Sequence, residues 1–257
     1  MEEIFQAFIL GVIQGITEFL PISSTAHLII VPWLFGWKGT INSLSFDIAV
    51  HVGTLISIFY CFWKDWIDIF LRDKKMLFYI ILGTIPAGLA GITFHDFIEN
   101  ELRNPLIIVF TLIFVGILML IAEKVSKKER ESINISDALF IGTAQAVALI
   151  PGVSRSGITI TAGLFKGLER AYAARFSFLL STPAVAGAAV IDLYKSIKIG
   201  YFYDYSIFTV GVVSSSITGI LAIKFLLNFL KKYPLNLFIY YRWILAFAIF
   251  LLYFLRN

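Results

Sequence analysis

Charge is scarce in this sequence: only 15% of its 257 residues are Asp, Glu, Lys or Arg, against roughly 25% in soluble domains. With 59% hydrophobic residues, 25 Phe and a mean hydropathy of +0.86, the chain has too little polar surface to clothe a water-facing globule. An ordinary cytoplasmic enzyme is excluded. Cysteine is nearly missing, and the single Cys61 rules out a disulfide framework and any cysteine-built metal site. The start, Met1-Glu2-Glu3-Ile4, lacks the positive region of a cleavable signal peptide, so the apolar N-terminus is expected to stay in the mature protein. Net charge is only +4, and the basic residues fall in short groups between apolar runs. That pattern speaks for membrane topology and against a nucleic-acid partner.

What is present is a series of runs able to cross about 30 Å of hydrocarbon, which takes about 20 helical residues. Residues 46–63, 76–94, 104–122, 171–191, 205–223 and 237–255 read as six spans. Two further apolar regions, about 4–35 and 138–165, are each broken in the middle, at Leu20-Pro21-Ile22-Ser23-Ser24-Thr25 and at Ile150-Pro151-Gly152-Val153-Ser154-Arg155-Ser156. Proline stops the preceding helix and hydroxyl residues cap a new one, so each region predicts two half-helices joined at membrane depth. Gly11-Val12-Ile13-Gln14-Gly15 and Gly142-Thr143-Ala144-Gln145-Ala146 precede the two breaks by similar distances. The expected fold is therefore an all-α integral membrane protein forming one domain over 1–257. Its six transmembrane helices are joined by two oppositely inserted re-entrant hairpins that make an inverted repeat.

Loop charges orient it. With both hairpins re-entrant, one set of loops carries twelve basic residues, among them Lys64, Arg72, Lys127 and Lys232, and the other carries five, including Lys38 and Arg103. The positive-inside rule puts the richer set in the cytoplasm and both termini outside. Counting the hairpins as four crossings leaves the loops almost unchanged, so charge alone does not separate re-entry from spanning.

The polar residues that membranes disfavour are the candidates for chemistry. Glu18 is an intramembrane carboxylate, and Gln14, four residues earlier, shares its helical face. Ser23, Ser24, Thr25 and His27 follow within a few turns. In the second hairpin Arg155 stands at the break beside Gly152, Ser154 and Ser156, with Thr159 one turn on. A guanidinium fork with the free N–H groups of half-helix N-termini suits a phosphate, although an internal salt bridge to Glu18 would equally satisfy a buried arginine. A carboxylate facing a phosphate implies either a bridging divalent cation of the Mg²⁺ or Ca²⁺ type or proton transfer.

The segment from Gln14 to His27 resembles the (E/Q)xxxE and serine–histidine region of the BacA-type undecaprenyl-diphosphate phosphatases, the bacitracin-resistance family. Pro151-Gly152-Val153-Ser154-Arg155-Ser156-Gly157-Ile158-Thr159 is similar to their PGxSRSxxT motif. The stretches from Phe46 to Leu55 and from Arg175 to Leu180 are also similar, so the likeness runs nearly the whole chain. The resemblance implies a multi-pass plasma-membrane enzyme that hydrolyses a polyprenyl diphosphate lipid to the monophosphate, recycling a carrier for cell-wall or surface-glycan synthesis. Its active-site mouth is expected on the outer face. It implies Glu18 as metal ligand or acid/base, His27 as proton manager, Ser24 or a water as nucleophile, and Arg155 with Ser154 and Ser156 as the diphosphate clamp. Gln14, Ser23, Thr25, Gly152 and Thr159 complete the binding set, and a homodimer is compatible with it. Where the family also has an acidic residue, this chain has Gln14, which cannot ionise. A lipid flippase or transporter is the rival reading, since an inverted repeat suits both.

Overall fold

A computed structural model describes residues 1–102, 104–199 and 204–256. Among them the regular structure is helical: α1 (Glu2–Phe19), α2 (Ser24–Phe35), α3 (Leu44–Cys61), α4 (Trp63–Leu71), α5 (Lys74–Glu101), α6 (Pro105–Val125), α7 (Ile135–Val147), α8 (Arg155–Phe165), α9 (Arg170–Ile199), α10 (Tyr205–Leu230) and α11 (Asn236–Arg256). Six of these, α3, α5, α6, α9, α10 and α11, are long and apolar enough to cross a membrane. They are the six spans expected from the sequence. Large apolar side chains such as Phe110, Leu221 and Phe247 face outward, as a lipid-facing surface requires. Several boundaries differ: the run 205–223 continues as helix to Leu230, and the run 46–63 ends at Cys61, where the chain turns into the short amphipathic α4, which buries Trp66 and Ile69 while Lys64 stays exposed.

Both predicted breaks are present. Helix α1 ends at Phe19 because Leu20 is extended and Pro21 has no N–H to continue the ladder. Helix α2 is then capped by Ser23, whose hydroxyl accepts from the Ala26 amide at 3.3 Å. Helix α8 is capped in the same way by Ser154, whose hydroxyl accepts from the Gly157 amide at 3.1 Å. Both cap serines hold positive φ, 75° and 71°, an uncommon conformation for a residue with a Cβ. Proline alone does not make a break, for Pro32, Pro86 and Pro183 lie inside continuous helices.

Packing relies on small residues, as helix pairs in lipid do. Helices α1 and α10 meet at Gly11 against Gly211 and Ser214, and again at Gly15 against Ser215 and Gly219, so they run parallel. Helix α3 packs against both α1 and α10, and on α10 the Ser57 hydroxyl donates to the Ser216 carbonyl at 2.8 Å while Ser216 returns a bond to the Gly53 carbonyl at 3.0 Å. In the other half α7 packs on α5 so closely that a Cβ at Gly142 would collide with the Gly83 carbonyl. Helices α6 and α11 pair, and α2 and α8 pack against the first and second breaks' surroundings through Ala26, Ile108, Leu112 and Ala246 and through Val153, Ile158 and Phe178. The two breaks thereby face each other inside the bundle.

Candidate active site

Glu18 occupies the last turn of α1 and is buried. Leaving a carboxylate unsatisfied there would cost several kcal/mol, and four groups answer it. Arg155 Nη2, on the first turn of α8, donates to Glu18 Oε1 at 2.6 Å. On Oε2 converge Ser24 Oγ at 2.6 Å, Gln14 Nε2 at 3.1 Å and His51 Nε2 at 3.3 Å. The i, i+4 spacing of Gln14 and Glu18 and the sharp turn to Ser24 bring those three residues together locally. The approach of Arg155 requires the hairpin tips to meet. They do: Ser156 Oγ also donates to the Leu20 carbonyl at 3.2 Å.

His51, on α3, is not among the candidates that the sequence offers, although an imidazole inside a span carries the same signal that marks Glu18. Its Nδ1 lies 2.7 Å from the Asp47 carbonyl, which can only accept, so Nδ1 carries a proton. A bond from Nε2 to Glu18 then needs one more proton, on the ring or on the carboxyl group. The imidazole Nε2, 3.3 Å from Glu18 Oε2, is thereby placed to exchange a proton with the carboxylate.

The remaining predicted residues divide by position. Ser154 Oγ lies 3.3 Å from Ser156 Oγ, on the Arg155 side of the cluster. Thr159 bonds Ser177 Oγ at 2.6 Å, and Arg155 Nη1 donates to the Ser177 carbonyl at 3.2 Å, so α9 steadies the guanidinium. Thr25 is half-buried at the start of α2. Gly152 holds φ 88°, and a Cβ there would overlap Thr111 Oγ1. His27 is turned away from Glu18: its Nδ1 meets the Ser23 carbonyl at 2.7 Å and its Nε2 the Tyr241 hydroxyl at 2.8 Å. Behind both breaks lies fully buried Arg242 of α11, a second residue absent from the sequence candidates.

A buried carboxylate, an arginine fork, a histidine and several hydroxyls gathered between broken helices define a polytopic membrane protein with an interior polar site suited to an anionic headgroup. The chain belongs to the family described as bacitracin resistance protein BacA, whose model matches residues 7–248 and so takes in every residue of this cluster. It is 76% identical over 257 residues, the whole of both chains, to the undecaprenyl-diphosphatase of Thermodesulfovibrio yellowstonii. It is 44% identical over 263 residues to the protein of the same name from Caldicellulosiruptor bescii, covering 98% of each chain, and 43% identical over 265 residues to that from Moorella thermoacetica, covering 99% of each.

Proposed function

We propose that this protein is an undecaprenyl-diphosphate phosphatase of the plasma membrane. Water is added across the terminal phosphoanhydride bond, giving undecaprenyl phosphate and inorganic phosphate. The observation that carries the reading is the Ser24–Glu18–Arg155 cluster at the meeting of two half-helix N-termini, in a chain alike from end to end to proteins named for this activity.

The chemistry follows from the geometry. The α2 and α8 N-termini both aim their dipoles at the cluster, which favours a diphosphate. Arg155 exchanges its bond to Glu18 for the phosphate oxygens, where its planar fork binds two at once. Ser24 Oγ, already donating to Glu18 Oε2, gives up that proton as it attacks the terminal phosphorus, and Glu18 serves as general base. The P–O bond to the carrier phosphate breaks, and water then releases the phosphoryl group from Ser24. His51, 3.3 Å from Glu18 Oε2, relays the proton that Glu18 takes from Ser24 and returns it as water releases the phosphoryl group.

A divalent cation, Mg²⁺ or Ca²⁺, fits the same residues. Gln14 Oε1 is buried without a partner beside Glu18, and with the carboxylate and Ser24 Oγ it offers the hard oxygen atoms such a cation takes. Among the described residues no cluster of three His, Cys, Asp or Glu stands ready for a metal, so diphosphate oxygens would complete the set. The cation's contribution is to offset charge between Glu18 and the diphosphate.

The hairpins are read as re-entrant because α2 and α8, with 12 and 11 residues, reach only about 18 Å at 1.5 Å per residue, short of about 30 Å of hydrocarbon. An inverted repeat is supported by a constant displacement of 131 positions, which relates Ser24 to Arg155, Lys74 to Tyr205 and Pro105 to Asn236 as helix starts, and Ser23 to Ser154 as caps. The loop charges put the mouth of the first hairpin on the outer face. The test is phosphate release from a long polyprenyl diphosphate by purified protein in detergent, where no second compartment exists. Release that Glu18→Gln abolishes is expected. No release from folded wild-type protein would overturn the enzyme and favour lipid transport.

A further inference from the structure

We infer that Arg242 is the positioning residue that locks the two hairpin tips in register, so that Arg155 and Ser24 meet on the same carboxylate. Arg242 lies within the span of α11 and has no accessible surface. A guanidinium at that depth is costly enough that it stays only with good partners. Among the described residues no carboxylate pairs with it. Its donors go to main-chain carbonyls instead: Nη1 to Pro21 at 3.3 Å, Nη2 to Gly152 at 3.0 Å and to Val153 at 3.1 Å, with Nη2 and Nε also reaching Thr111 at 3.3 Å and Leu112 at 3.2 Å on α6.

The choice of carbonyls is informative. Pro21 belongs to the first break and Gly152 and Val153 to the second, where the interrupted ladders leave carbonyls without helical donors. One planar group therefore serves both breaks. Each carbonyl lies two or three residues before a reacting group, Pro21 before Ser24 and both Gly152 and Val153 before Arg155. Between them stand Ser23 and Ser154, both at positive φ, which a chain holds only where its surroundings fix it. Thr111, on α6, makes the complementary bond, its hydroxyl donating to the Pro151 carbonyl at 2.8 Å. It stands 131 positions before Arg242, the displacement that relates the helix starts of the two halves. Because the hydrogen bonds of Arg242 go to the main chain, it acts on the site through the backbone of the two tips. A lysine, with a single ammonium, cannot span the two breaks at once.

The inference rests on the phosphatase reading for its kinetic consequence, but the register of the tips is measurable without activity. The full-length protein, with Cys61→Ser, is spin-labelled at Ile16→Cys and Val147→Cys, both exposed positions beside the two tips, and the distance distribution is compared with and without Arg242→Lys. Phosphate release is followed in the unlabelled Arg242→Lys protein. We expect a folded, monodisperse variant with a broadened distance distribution. Its kcat falls on the order of 100-fold, as displacement by about 1 Å produces, while KM for the polyprenyl diphosphate stays within about threefold because the tail still binds. Adding Arg242→Lys to Arg155→Lys costs less than Arg242→Lys does alone, because the fork is already gone and only the placement of Ser24 is left to lose. Thr111→Val gives a smaller loss of kcat in the same direction, and it carries the test should Arg242→Lys not fold. An unchanged kcat with a narrow distribution in the folded variant overturns the inference. So does a loss of activity that matches the loss of folded protein. If wild-type protein releases no phosphate while the distances still broaden, the phosphatase reading fails and the register role stands.

Discussion

Arg155 Nη2 and Glu18 Oε1 lie 2.6 Å apart across 137 positions of sequence, each largely buried and each the other's charge partner. On the proposed mechanism a diphosphate entering the site competes with Glu18 for the same fork, so the pair would serve both as the resting lock and as the receptor. Arg155→Ala and Arg155→Lys are both expected to lose at least about 100-fold in kcat/KM, because one ammonium cannot replace two parallel N–H bonds to phosphate. Steady-state phosphate release measures it. A lysine variant close to wild type would reduce Arg155 to a general positive charge.

Glu18→Gln removes the proposed general base and leaves Arg155 buried without a counter-charge. Turnover is expected to vanish, and stability to fall by about 3–5 kcal/mol, the usual penalty for breaking one side of a buried pair. Thermal unfolding in detergent reads the second effect separately from the first. Full activity in folded Glu18→Gln protein would move the general base elsewhere.

Gln14→Glu tests the cation. Gln14 Nε2 now donates to Glu18 Oε2 at 3.1 Å, and a second carboxylate there would repel the first unless a proton or a divalent ion lies between them. The variant is expected to keep or raise activity, to be half-saturated at lower free Mg²⁺, and to be more sensitive to a chelator than wild type. An unchanged cation response would separate Gln14 from any metal.

Much of this is legible in the chain. Six spans, two broken helices and the serines that cap them follow from run length, proline and hydroxyl placement, all of which act within a few residues. Glu18 and Arg155 stand out because lipid makes isolated charges costly. Their meeting does not, since it depends on two hairpin tips whose separation no local pattern encodes. His51 and Arg242 carry the same signal, a titratable or charged side chain inside an apolar span, but lie in long runs whose average hydropathy masks them. His27 is the converse case: nearness in sequence to Glu18 suggests a partnership, whereas the first turn of α2 rotates its ring toward Ser23 and Tyr241.

Gly152 is where main-chain geometry can be tested alone. It holds φ 88°, and an added methyl group would overlap Thr111 Oγ1, so Gly152→Ala suffers both backbone strain of about 1–3 kcal/mol and overpacking of similar size. A marked fall in melting temperature with loss of turnover is expected. Gly36→Ala is the control, for Gly36 has φ 68° but nothing within 4 Å of the added atom. It should lose only about 1 kcal/mol, the left-handed backbone penalty by itself, and keep its activity. Equal effects of the two substitutions would mean that the tight contact with α6 does not matter.

The last expectation concerns which substrate enters and from which side. Apolar side chains cover the outside of the bundle, while the polar groups are gathered at the two breaks, so a long prenyl tail can stay in lipid as its diphosphate reaches Glu18 and Arg155. The tail then supplies binding and the headgroup the chemistry, and inorganic pyrophosphate should be turned over far more slowly than a long polyprenyl diphosphate, with farnesyl diphosphate between them. The side is read from two loop residues with accessible side chains, Lys38 and Lys127, in a Cys61→Ser background. A membrane-impermeant maleimide applied to intact cells should label Lys38→Cys, beside the first hairpin, and should reach Lys127→Cys only after the membrane is opened, as the excess of basic loops on that side requires. The reverse labelling would turn the protein over and put the first hairpin's mouth in the cytoplasm, where a carrier released by outward glycan transfer would first have to be flipped.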